Sequence, residues 1–153
     1  MKKAFIFSIV ALLCSLFSIQ ESFGQPQMKW QGSGNWGPGT QYSRLFDPKT
    51  VETISGEVTS VGFITPLKGM SQGVHLVVKT EKGEISVHLG PAWYLQKQDM
   101  KLAPKDKVEI TGSRITFEGK PTIIASEIKK ADGMLKLRDE NGFPVWSGWR
   151  RRQ

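Results

Sequence analysis

The sequence predicts an all-β protein, a small barrel of five or six strands with one short helix, on three observations. From Val51 onward, segments of strand length alternate apolar and polar residues. Gly- and Pro-containing turns separate these segments at short intervals. No internal repeat and no long helical period interrupts them. The resulting order is three strands, a short helix between strands three and four, then two or three more strands. That is the order of the OB-fold, a partly open barrel.

Each element has its own justification. Phe46-Asp47-Pro48 opens the folded part. Val51 to Phe63 reads as a long first strand interrupted by Gly56, and the spacing Val58, Thr59, Ser60, Val61 breaks strict alternation, which predicts a bulge or bend. Thr65 to Gly73 is a loop. Gly73 to Leu95 begins with a hairpin, with Leu76 and Val78 inward on one arm and Ile85, Val87 and Leu89 on the other. Gly90-Pro91 ends the third strand, and Pro91 suits the start of a short helix that sets Trp93 against the sheet. Lys107 to Phe117 is the fourth strand, bent at Gly112. Thr122 to Lys129 is the fifth, with its inward face left open by the pair Ile123-Ile124. Met134 to Arg138 is a short sixth.

The ends read differently. Met1 to Gly24 has a basic start at Lys2 and Lys3, an apolar run from Ala4 to Ile19, and small residues at Ser22 and Gly24. This predicts a signal peptide cleaved before Gln25 and an exported, periplasmic or secreted protein. Leu13 is too large for a lipidation site at Cys14. Removing the first 24 of 153 residues leaves 129, enough for one domain with its own core. It also removes the single cysteine, and with it thiol chemistry and CxxCH haem attachment. Residues 25–45 read as a flexible Gly-rich leader in which Trp30 and Trp36 are the docking candidates. Residues 46–140 form the barrel, and 141–153 an aromatic and then basic tail. The net charge of +7 permits acidic partners, anionic lipid or polyanions without choosing among them.

The chemistry concentrates in the hairpin, which carries both histidines. With a two-residue turn at Lys82-Gly83, Glu81 faces Glu84, Leu76 meets Leu89 and Val78 meets Val87. His88 then lies opposite Val77 and diagonal to His75, roughly 7–8 Å away on the same outward face. Trp93 and Tyr94 follow closely, and Met70 lies in the preceding loop. Met70, His75, His88, Trp93 and Tyr94 therefore make the expected ligand-binding face.

Four segments carry a resemblance: FDPKTVETISGEV (Phe46 to Val58), GMSQGVHL (Gly69 to Leu76), VHLGPAWYL (Val87 to Leu95) and NGFPVWSGW (Asn141 to Trp149). Together they resemble the OB-like domain of the magnetosome-associated MamS/MamX family and its small exported relatives. The resemblance implies a small envelope-associated β-barrel, in some members near iron or redox chemistry. Paired CxxCH haem motifs of MamX-type members have no counterpart here, so covalent haem is not expected.

Function is weighed on these residues. With no cysteine nucleophile, no GxSxG elbow and no HExxH, the chain is expected not to be an enzyme. The main expectation is a non-catalytic binding or accessory module of the envelope, taking a protein or small ligand and needing no cofactor. One alternative is a metal-handling protein holding Cu or Zn on His75 and His88, with the soft thioether of Met70 suited to Cu(I). Another is polyanion or nucleic-acid binding, with export arguing against nucleic acid as the ligand. In the tail, Trp149, Arg150, Arg151 and Arg152 suit peripheral contact with an anionic membrane. Trp146 is expected to pack back on the barrel beside Phe143 in preference to joining that contact.

Overall fold

Alternation and turn chemistry place six strands and one α-helical turn, with two 3-10 turns, Ser43–Leu45 and Pro48–Thr50, ahead of them. A computed structural model describes residues 34–131 and 133–147. The strands are β1 (Val51–Ile64), β2 (Gly73–Thr80), β3 (Gly83–Pro91), β4 (Lys107–Phe117), β5 (Lys120–Lys130) and β6 (Gly133–Lys136), with α1 (Ala92–Leu95) after β3. They form one sheet in the order β3-β2-β1-β4-β5-β6, antiparallel between neighbours. Ser86–His88 of β3 also pair in parallel with Thr122–Ile124 of β5. That pairing closes β1 to β5 into a ring, the barrel topology expected from the strand order.

Three register slips shape the ring, one of them between β2 and β3 at Val74/His75. The ladder between β1 and β2 slips between Val58 and Ser60, where the sequence broke alternation. The bulge keeps Val58 and Val61, three residues apart, on one face: Val58 opposes the core residue Val78, and Val61 opposes the core residue Leu76. Between β4 and β5 the register slips at Thr111/Gly112. A Cβ on Gly112 would collide with the Ile124 carbonyl and come within 2.7 Å of Ile123 Cγ2, so only glycine fits there.

The core holds Val58, Leu76, Val78, Val87, Leu89 and Ile110, all fully buried. Ile123 and Ile124 are both buried because the chain lies in two layers at β5. Ile123 stands level with the core residue Val87, whereas Ile124 is level with His88 on the outer face. That outer face is covered by residues flanking the barrel. Trp36 and Tyr42 come from the N-terminal side, and Leu137, Arg138 and Trp146 from the C-terminal side; all five are buried. The amide of Asp47 donates to Ser113 Oγ at 2.9 Å, fixing the N-terminal segment to β4. Trp146 packs back as expected, but Phe143 stays exposed.

The hairpin turn differs from the sequence reading. Thr80 pairs with Gly83, so the turn residues are Glu81 and Lys82, not Lys82 and Gly83. Thr80 supplies the reason: its hydroxyl donates to the Gly83 carbonyl at 2.8 Å and accepts from the Lys82 amide at 3.2 Å. Leu76 therefore meets Val87, and Val78 meets Ile85. From Thr80 to His75 the shift is even, so the side chains of these pairs keep their faces, and the ladder slips once more between Val74 and His75.

Candidate functional site

The corrected register puts His75 directly opposite His88, not diagonal to it. Their rings are 5.7 Å apart, edge to face. Both point away from the core as expected, yet the face they share is not open. Tyr42 stacks over His88 at 6.0 Å, and Phe117 meets it edge-on at 5.0 Å. The Tyr42 hydroxyl and His88 Nδ1 are hydrogen-bonded at 2.9 Å. His88 is buried, while His75 at its side keeps partial access to solvent.

Aromatic packing explains why this cover stays in place. Trp36 meets Tyr42 edge-on at 4.9 Å, and its indole N–H donates to the Ser71 carbonyl at 2.8 Å. The Trp146 indole N–H donates to the Trp36 carbonyl at 3.0 Å. Glycines beneath provide the room. A Cβ on Gly73 would strike the Trp36 ring, and one on Gly90 would lie 2.9 Å from the Trp146 ring.

A cation is sealed beneath the same cover. Arg138 is 2% exposed, with its guanidinium carbon 4.9 Å from the centre of the Trp146 ring. Its Nη1 donates to the Gly142 carbonyl at 3.2 Å, and its Nε has no hydrogen-bond partner among the described residues. Burial disfavours charge throughout the cluster. It pushes His88 down to about 4, helped by His75 and by Arg138, and so keeps the imidazole neutral at pH 7. Burial also lowers His75. It raises Tyr42 far above the usual phenol range, with Arg138 opposing. The site is thus a dry, neutral imidazole and phenol beside a fixed positive charge.

The remaining expected residues fall elsewhere. Tyr94 and Trp93 lie on α1, where Tyr94 packs on Trp146 at 5.5 Å and on Trp93 at 6.2 Å. Met70 is buried and lines a hollow with Tyr42, Asn35 and Leu67. Among the described residues no three His, Cys, Asp or Glu side chains gather to hold a metal. Trp149, Arg150, Arg151 and Arg152 lie outside the described residues, as do the expected signal peptide and Trp30. Sequence reasoning missed Tyr42 and Arg138, which no period or motif marks.

It also missed a second feature. β4 pairs with β1 only through Glu57, so the second half of β1 overhangs the barrel. Val61 and Phe63 there oppose Leu76 and Val74 and share their core-directed face, yet they are 39% and 58% exposed. With Leu89, Leu95, Met100 and Leu102 they line an open groove of about 280 Å³, whose charged lining residue is Lys101. The core thus continues out of the barrel uncovered. The signal was present in the sequence, since Val58, Val61 and Phe63 share a face once the bulge is allowed.

Comparison with known proteins fits this fold. No curated protein matches the chain. The profile of the MamS/MamX magnetosome protein family matches residues 50–135, which run from the start of β1 into β6. That match spans more than half of the sequence, and the chain belongs to the MamS/MamX family.

Proposed function

We propose that this chain is an exported accessory module of the cell envelope that works by binding, with the open end of its barrel as the binding site. Family membership suggests a magnetosome-associated accessory protein. The observation that carries the binding reading is the exposure of Phe63 and Val61 on a core-directed face. A ligand or partner that covers them removes apolar surface from water, the main favourable contribution to association. Export rests on the N-terminal sequence alone.

Titration with the apolar fluorophore 1-anilinonaphthalene-8-sulfonate tests the site. Wild-type protein should enhance its emission severalfold more than Phe63→Lys does. Equal responses would remove the groove as the binding site. Export is tested by the mass of the protein recovered outside the cytoplasm, which should correspond to a chain beginning at Gln25.

The opposed imidazoles of His75 and His88 support a second reading, metal handling. Titration with Cu and Zn, followed by histidine NMR shifts, decides it. Shifts of both rings at micromolar metal support it, and unmoved rings end it.

A further inference from the structure

Resting on the groove reading, the backbone beside the groove narrows what fills it. In a sheet, alternate residues of a strand turn their N–H and C=O groups to opposite edges. One edge of β1 is paired with β2 along Glu57–Ile64. The other is paired with β4 only as far as Glu57, after which Val58 takes its last backbone bonds, from the Lys105 amide at 2.7 Å and to the Asp106 carbonyl at 2.8 Å. From residue 59 to 64 that second edge has no backbone partner among the described residues.

An open strand edge and an uncovered apolar face thus run side by side. The groove is lined by Val61, Gly62 and Phe63, which belong to the stretch of β1 that β4 leaves unpaired. A lipid or other small apolar molecule could fill the groove but would leave the edge unpaired. An extended polypeptide satisfies both, pairing its backbone with β1 and placing alternate side chains in the groove. Charge adds a further constraint. Lys101 lines the groove and no carboxylate does, which favours an acidic residue on the incoming strand.

We infer that the groove receives an extended segment of a partner protein, which adds to β1 along residues 59–64 and directs an acidic side chain toward Lys101. This is a different surface from the outer face of β2 and β3, which the chain covers with its own Trp36, Tyr42 and Trp146. It also accounts for an open strand edge beside exposed apolar residues, a combination that otherwise invites aggregation.

The test selects peptides from a phage-displayed random decapeptide library on the wild-type protein, with Phe63→Lys as the counter-selection. Phe63 is largely exposed, so the variant should fold, and its thermal transition confirms that. Selected peptides should alternate apolar with polar residues and carry an acid. A selected peptide should slow amide hydrogen exchange at alternate positions within 59–64. Methylating alternate backbone nitrogens of that peptide should lower its affinity at least tenfold in one of the two frames. Affinity that survives methylation in both frames would overturn strand addition, and so would failure to enrich any peptide over the variant. In either case the fluorophore separates the two ideas. A wild-type response well above that of Phe63→Lys leaves the groove as a binding site for another ligand, and no difference removes the binding reading as well.

Discussion

Tyr42 and His88, separated by 46 residues, meet at 2.9 Å in a buried layer outside the barrel. Neither residue has access to water that could replace the bond, so each depends on the other for its polar atom. The aperiodic segment before the barrel is thereby tied to the middle of β3, and the expected binding face becomes an internal interface.

Removing the hydroxyl tests that dependence. Tyr42→Phe keeps the ring stacked on His88 but leaves the buried Nδ1 without its partner. The expected loss is about 1–3 kcal/mol of unfolding free energy in urea. His88→Phe in the same background should then cost little more at Nδ1, and a double-mutant cycle reads the coupling.

Stability should fall as pH drops from about 6.5 toward 4. In the unfolded chain His88 takes up its proton near the usual 6.5, while in the folded protein burial holds it at about 4. Between those values the unfolded state binds more protons, so acid favours unfolding. The full difference corresponds to about 3 kcal/mol. His75 is shifted in the same direction and adds to the slope. Urea unfolding at pH 7.5, 5.5 and 4.5 measures it, and replacing His88 should flatten most of the dependence.

Arg138 contributes to that low proton affinity. Arg138→Met removes the charge, and with it the guanidinium that faces Trp146, while retaining an unbranched side chain. The His88 ring should then titrate at a higher pH, as followed by its NMR shift. An unchanged midpoint would show that burial and His75 set it without Arg138.

Two glycines should resist the smallest enlargement. Gly73→Ala drives a methyl group into the Trp36 ring and Gly90→Ala into the Trp146 ring. Each should cost about 1–3 kcal/mol through overpacking. Gly83→Ala finds open space around its Cβ, but the glycine sits at φ 115°, so its cost comes from backbone strain.

Barrel and outer layer were not equally legible from the sequence. The strands announce themselves because half-buried sheets impose period two, and the bulge after Val58 could be read as a break in that period. The turn was misplaced because Lys82-Gly83 resembles a tight hairpin turn, whereas the deciding interaction is the Thr80 side chain folding back on the backbone. Ile123 and Ile124 gave no preference because both of their faces are covered. Trp36, Tyr42 and Arg138 lie in irregular segments, and long-range packing buries them where no local pattern points. The groove was hidden for a related reason: alternation tells which way Phe63 faces, but not that β4 stops short of it.

The bond from the Trp146 indole to the Trp36 carbonyl spans 110 residues. Closing so long a loop comes late, since the barrel must form before the two segments have a common surface. A chain still being synthesised or exported therefore has its strands before it has its full cover, and the Trp36 carbonyl stays without its indole partner until residue 146 arrives. Completion is recorded in that one hydrogen bond. Time-resolved protection of the Trp146 indole N–H during refolding should lag behind protection of the strand amides.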